Sequence, residues 1–292
     1  MEYRASVFML NHALMSARCV IHGGCVSRKN AFEQNERSFD SMGMLERIKE
    51  RVAEAVYPRR CPLCGSTLNR NERICSKCSR DVRFINRPVC RLCGRPLYTC
   101  SCRKGDYAFI RNVSPLVYTK SAKKGIHRMK FSDSPYSCVY FGKLMANSVR
   151  LEYLDSGVRI DCVIGVPMHK DEVMVRGYNQ AILLARTVAD EIGVPLLNRI
   201  LIKTTRTHPQ HTLPFSERRK NISGVFAVSA PEMIRGKTVL LCDDVATSGS
   251  TLNECARTLL NAGAKAVFCV TATISIASEM QAIKAAGVES GW

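Results

Sequence analysis

Residues 239–252 read V-L-L-C-D-D-V-A-T-S-G-S-T-L. A short apolar run fit for a buried strand ends in two neighbouring carboxylates, Asp243 and Asp244, an expensive arrangement to bury unless something binds there. Ala246, Thr247, Ser248, Gly249, Ser250 and Thr251 follow, small residues that are mostly hydroxylic. A turn of this composition leading into a helix offers free backbone N–H groups, the positive end of a helix dipole and hydroxyl donors, which suits a phosphate. The carboxylates accept hydrogen bonds only, so they suit vicinal hydroxyls rather than phosphate. A phosphate beside a diol is a ribose 5-phosphate. The stretch matches neither the Walker pattern G-x-x-x-x-G-K-[ST] nor the dinucleotide pattern G-x-G-x-x-G. An Asp-rich turn with ordinary Ser/Thr capping is the plain alternative.

A second constellation is metallic. Cys61, Cys64, Cys75 and Cys78 form two C-x-x-C-type knuckles, and Cys90, Cys93, Cys100 and Cys102 form a tighter set. Four thiolates suit tetrahedral Zn²⁺, and an all-cysteine set leaves no open coordination position, so two structural zinc ions are expected. Gly65 and Gly94 each follow the second cysteine of a knuckle, where a left-handed residue lets the backbone turn back. Whether the knuckles share ions sequentially or in a crossed arrangement is not legible from spacing. Cys19, Cys25, Cys138, Cys162, Cys242, Cys255 and Cys269 read as small core or surface residues.

The elements that must position these groups are of α/β type. Strands are expected at Val113–Tyr118, Cys162–Val166, Thr238–Cys242 and Val267–Thr273. Helices are expected at Cys138–Arg150, Asn179–Ile192 and Gly249–Asn261, the last closed by Gly263. Alternation at this spacing predicts a doubly wound parallel sheet, with Asp243 and Asp244 delivered to its carboxyl edge. Residues 1–43 lack periodicity; they read either as a flexible tail or as sequence ahead of a true start at Met42 or Met44. A helix is expected over 44–58, the ribbons over 59–104, the sheet domain over 105–276 and a tail over 277–292.

These stretches together resemble the ComF family, in which a double zinc ribbon precedes a domain of the type I phosphoribosyltransferase kind. D-D-V-A-T-S-G-S-T resembles the loop that binds phosphoribosyl pyrophosphate (PRPP). Y-P-R-R-C-P-L-C-G at 57–65, R-G-Y-N-Q at 176–180 and H-P-Q-H-T-L-P-F-S-E-R-R-K-N-I at 208–222 resemble the family elsewhere. The resemblance implies that Asp243 and Asp244 hold ribose hydroxyls and that 247–251 hold the 5-phosphate. It also implies a pyrophosphate loop at Val166, Pro167, Met168, His169 and Lys170, with Arg176 nearby. Ala246 and Ser248 depart from the commoner residues, and Val173-Met174-Val175 stands where the family often carries another arginine.

The expected activity is Mg²⁺-dependent transfer of a ribosyl 5-phosphate group from PRPP to a nitrogen acceptor. Lys170, with Arg206 or Arg218 of a basic loop over Arg206–Asn221, would stabilise the departing pyrophosphate. A disordered linker is the plain alternative for that loop. The rival expectations are PRPP sensing without turnover and single-stranded DNA binding linked to DNA-uptake machinery. The net charge of +18 over 292 residues invites the latter. Residues 59–104 hold twelve Lys/Arg against two acids, and two zinc ions on eight thiolates would trim their formal +10 to about +6. Tyr98 and Tyr107 are candidate stacking platforms. The weak apolar stretch Ala5–Ala17 is broken by Asn11 and His12, so neither a secretory signal nor membrane insertion is expected, and the location read from sequence is cytoplasmic.

Overall fold

The computed structural model describes residues 58–69, 71–103, 105–131, 135–205 and 224–276. The chain divides into a unit Met1–Pro58 and a unit Arg59–Trp292; the structure below is that of the second. The expected tail 1–43, most of the helix over 44–58, the loop with Arg206 and Arg218, and the tail 277–292 lie outside the described residues.

The centre is a parallel sheet of β1 (Arg111–Val113), β2 (Leu116–Val117), β3 (Cys162–Gly165), β6 (Thr238–Ala246) and β7 (Ala266–Ile274), ordered β1-β7-β6-β3, with β2 also pairing β7. Two strands, β4 (Leu201–Lys203) and β5 (Phe226–Val228), form a separate antiparallel pair. The expected strand Val113–Tyr118 is therefore two pieces on one neighbour. Pro115 lacks an N–H for a ladder, and its carbonyl instead accepts from Ile85 N at 2.9 Å.

The sheet is covered on both faces, which explains its nearly continuous apolar strands. Along β6, Leu240 and Cys242 pack with α3 (Pro135–Glu152) and α5 (Gln180–Ile192) through Phe141, Met145, Leu184 and Val188. Val239 and Leu241 face the other way, onto Leu252, Cys255 and Leu259 of α6 (Ser250–Asn261) and onto the β4–β5 pair. The alternation is the period-two signature of a strand read from both sides. Asn179 and Gly249 cap α5 and α6 rather than lying within them.

Three further helices were not legible in the sequence: α1 (Ser76–Asp81), α2 (Lys120–Phe131) and α4 (Lys170–Arg176). The ribbon is not a detached module. Cys61, Leu63, Leu68 and Cys78 belong to the same apolar cluster as the α3–α5 face. Asp81, ending α1 (Ser76–Asp81), accepts from Ser121 N at 2.6 Å, and Ser137 Oγ donates to the Pro62 carbonyl at 2.8 Å. Among the described residues, no helix is long and apolar enough to cross a membrane.

Candidate functional site

Strand β6 runs further than its apolar letters suggest. The expected end at Cys242 is overtaken by parallel pairing that continues through Asp243↔Thr271, Val245↔Thr273 and Ala246↔Ile274. Asp243 and Asp244 thus sit within the last stretch of pairing, on opposite faces of the sheet edge. Beside them β3 ends: Gly165 pairs Cys242, and Val166 N donates to the Cys242 carbonyl at 2.9 Å. The segment Pro167–Lys170 therefore leaves the sheet next to the two acids, at the carboxyl edge where open α/β sheets take ligands.

The acids differ in state. Burial, compounded by the neighbouring Asp244 charge, pushes the Asp243 carboxyl well above the ordinary range. Burial works to raise Asp244 as well, yet the Lys130 ammonium outweighs it and holds Asp244 below its usual value. Lys130 Nζ lies 2.9 Å from Asp244 Oδ2, with both side chains largely buried. Gln180 Nε2 adds a donor to Asp244 Oδ2 at 3.3 Å. Asp244 is therefore the acid matched to the ammonium, and a second charge on Asp243 is the one the low-dielectric edge disfavours.

Lys130 is the site residue the sequence reading missed. It lies on a helix that was itself unread, and nothing in the local spacing of K-G-I-H-R-M-K-F marks the last lysine out from its neighbours. Its helix is tied to the site by R-G-Y-N-Q: Tyr178 OH donates to the Met129 carbonyl. In the same motif Arg176 Nη1 donates to Gln180 Oε1 at 2.8 Å, and the guanidinium stands 5.2 Å from the Phe131 ring centroid. Asn179 accepts from Ala181 N and donates to the Val166 carbonyl, each at 2.9 Å. Arg176, Gln180, Asp244 and Lys130 form one connected polar chain.

The residues of the expected pyrophosphate loop are divided. Pro167 and Met168 are partly buried, with Met168 Sδ 3.5 Å from Arg176 Nη1. His169 is buried as the N-cap of α4: its Nδ1 accepts from Asp171 N at 3.4 Å, while its own N–H donates to Glu172 Oε2 at 3.1 Å. That ring is engaged in holding the helix start. Lys170, the first residue of α4, is exposed.

The hydroxyl-rich turn behaves as its composition suggests. Gly249 caps α6 with φ +76°, where a side chain is strained, and an added Cβ would stand 2.9 Å from the Tyr107 ring. Ser248 and Ser250 hydroxyls meet at 2.8 Å, and Ser250 N donates to Ser248 Oγ at 3.3 Å. Tyr107 OH donates to the Ser248 carbonyl at 2.9 Å, so this tyrosine is a brace for the turn and not the free stacking platform expected. Arg95, from the second cysteine set, donates to the carbonyls of Thr247 and Ser275. It too is withdrawn from the basic surface.

The cysteines pair sequentially. Cys61, Cys64, Cys75 and Cys78 form one cluster and Cys90, Cys93, Cys100 and Cys102 the other, the sulfurs of each within 4.8 Å of one another. A Zn–S length of about 2.3 Å puts sulfurs about 3.8 Å apart in a tetrahedron; Cys64–Cys75 at 3.5 Å, Cys90–Cys102 at 3.5 Å and Cys93–Cys100 at 3.6 Å are close to that. Both sets fit structural zinc. Burial works to raise the Cys64 thiol, but hydrogen bonding to Ser66 and the neighbouring cysteines brings it down to about 6. Burial likewise opposes Cys90, whose bonds from Cys93 and Leu92 N–H groups bring it down to about 7. Gly65 and Gly94 take φ of +81° and +79°, as the knuckle geometry requires.

Residues 52–108 match the double zinc ribbon domain and residues 178–284 the phosphoribosyl transferase domain. The DNA utilization protein YhgH of Salmonella typhimurium is 29% identical over 74% of this chain and 98% of its own length. Competence protein F of Haemophilus influenzae is 29% identical over 71% of this chain and 93% of its own. A crystal structure of adenine phosphoribosyltransferase is 18% identical, with a TM-score of 0.32, covering 49% of this chain and 74% of that one.

Proposed function

From the premise that this chain is a ComF-family protein, a double zinc ribbon joined to a phosphoribosyltransferase domain, we propose that it binds PRPP and transfers its ribosyl 5-phosphate group to a nitrogen acceptor, releasing pyrophosphate. The observation that carries the reading is the pairing of an asymmetric acid pair with a hydroxyl-rich helix cap on one strand: Asp243 and Asp244 lie near the end of β6, which closes at Ala246, and Gly249 caps α6 just beyond it. Asp244 and Asp243 accept from the ribose hydroxyls. The N–H groups of 247–251, with their hydroxyls, receive the 5-phosphate. A diol docking on Asp244 competes with Lys130, and an ammonium released there stands beside the anionic leaving group, where a fixed positive charge favours departure. Arg176, partnered by Gln180, is the second cation at this edge. Lys170 is exposed at the same edge and, with Arg206 and Arg218, remains a candidate for closing over pyrophosphate.

Mg²⁺ fits this donor set in one way. The described residues that cluster as candidate metal ligands are the two cysteine sets, unsuited to a hard cation, which prefers oxygen. Asp243 and Asp244 are the acids at this edge that would hold Mg²⁺ together with the phosphate oxygens of the substrate. When bound it would neutralise phosphate charge.

The deciding experiment mixes the protein with PRPP and Mg²⁺ and a panel of amine and nucleobase acceptors, following pyrophosphate release and, by calorimetry, binding. Release supports transfer. Binding without release under every acceptor assigns the chain to PRPP sensing, and no binding removes the reading. A second reading, single-stranded DNA capture, is favoured by Tyr98, which is 86% exposed on the ribbon, in the same cysteine set as exposed Arg91; the relatives named for competence and DNA utilization give it context.

A further inference from the structure

We infer that the second cysteine cluster is the anchor of the phosphate turn, with Arg95 and Tyr107 as positioning residues that set which way its peptide groups point. The inference rests on the reading of 247–251 as a phosphate site. A trans peptide holds its C=O and N–H antiparallel. Arg95 grips the carbonyl of Thr247, whose peptide carries the Ser248 N–H; Tyr107 grips the carbonyl of Ser248, whose peptide carries the Gly249 N–H. With both carbonyls drawn toward the ribbon, both N–H groups are turned away from it, as two successive anion donors require. The bonds between Ser248 and Ser250 within the turn run through the Ser248 and Ser250 hydroxyls and the Ser250 amide and do not engage those carbonyls.

The brace is continuous with the metal site. The Arg95 carbonyl accepts from Cys90 N at 2.7 Å, so the residue that closes the knuckle also sends its side chain to the turn. Its guanidinium also donates to the Ser275 carbonyl at 2.9 Å, spanning the turn and the end of β7. The knuckle is fixed to β1, since Asn112 N donates to the Leu92 carbonyl at 2.8 Å and Asn112 Nδ2 to the Cys93 carbonyl at 3.2 Å. Ala108 N, next to Tyr107, donates to Asn253 Oδ1 on α6 at 2.6 Å. The seam between Cys93, Arg95, Tyr107, Ala246 and Gly249 leaves a void of only about 10 Å³. A tightly packed seam transmits displacement and does not absorb it.

The test compares wild type with Arg95→Lys, which keeps the charge but loses the planar fork, and Tyr107→Phe, which loses one hydroxyl outside the knuckle. Three quantities are measured: zinc content, backbone order parameters of the Ser248 and Gly249 amides, and calorimetric affinity for ribose 5-phosphate. The expected result is retained zinc, order parameters falling from about 0.85 to below about 0.6, and affinity weakened roughly fivefold for Tyr107→Phe and tenfold or more for Arg95→Lys. Arg91→Met, exposed in the same knuckle, leaves all three unchanged. Unchanged order parameters in Tyr107→Phe overturn the inference, whatever Arg95→Lys does to zinc. Should the turn loosen while wild type binds neither ribose 5-phosphate nor PRPP, the brace stands and the ligand reading fails.

Discussion

Asp243→Asn and Asp244→Asn make the same chemical change at adjacent residues, yet the structure gives them opposite effects on the ligand-free protein. Burial and the Asp244 charge hold the Asp243 carboxyl well above the ordinary range. Its native state therefore binds a proton the unfolded chain has lost, so stability declines as pH rises above the unfolded value of about 3.9, until the raised native value is passed. Each unit of upward displacement costs about 1.4 kcal/mol at neutral pH. Asp243→Asn removes that penalty and keeps an acceptor for the Asp244 N–H, which Asp243 Oδ1 takes at 2.8 Å. Asp244 has the opposite sign. Its lowered native value contributes stability present above about 3.9 and lost as pH falls through the native value. Asp244→Asn leaves the largely buried Lys130 facing a neutral amide. Breaking a buried pair costs about 3–5 kcal/mol, and about 1.5–3 kcal/mol is expected here because Asp243 can ionise in its place. Urea unfolding at pH 7 should thus show Asp243→Asn more stable than wild type by roughly 1 kcal/mol or more and Asp244→Asn less stable, while both lose PRPP affinity by roughly tenfold or more. At pH 4 the Asp243→Asn gain should largely vanish, while the Asp244→Asn loss should persist and fade only as pH drops through the lowered native value of Asp244. Shifts of the same sign at pH 7, or a destabilised Asp243→Asn, refute the assignment of charge within the pair.

Three further outcomes are expected. Metal analysis of the purified chain should give two Zn²⁺, and replacing Cys64 by Ser should lower the stability of the sheet domain as well as the ribbon, because Cys61, Leu63 and Cys78 share its core; a sheet domain unaffected in urea would contradict that shared core. Gly249→Ala combines strained φ with a 2.9 Å approach to Tyr107 and should cost about 1–2 kcal/mol together with most ribose 5-phosphate affinity, read by urea unfolding and calorimetry. If single strands bind, the logarithm of affinity should fall linearly with the logarithm of salt, and neutralising exposed Arg59, Arg60 and Arg91 should flatten that slope by about one per lost phosphate contact; a flat salt response in wild type removes the DNA reading.

What the amino-acid sequence determined on its own was whatever is written contiguously. The cysteine quartets, the run V-L-L-C-D-D and the hydroxyl turn announce themselves because knuckles, strands and helix caps are local devices, each with a fixed short spacing. The short apolar runs and the helical patterns likewise located β3, β6, β7, α3, α5 and α6 to within a few residues. The helix α2 escaped because its composition is cationic and interrupted by Gly125, which is there for a tertiary reason: a Cβ at that point would stand 2.8 Å from Leu63 and 2.9 Å from Phe141. The strands β4 and β5 escaped because each has three residues and is held by pairing with a distant partner. Only the tertiary structure decided that the cysteines pair sequentially, since spacing permits either arrangement. It alone set Lys130 against Asp244, shifted the two acids in opposite directions, and turned Arg95 and Tyr107 from surface groups into braces of the phosphate turn. Those outcomes depend on side chains from separate elements meeting in a low-dielectric edge, where a few ångströms decide which charge is stable, and linear spacing carries no such distance.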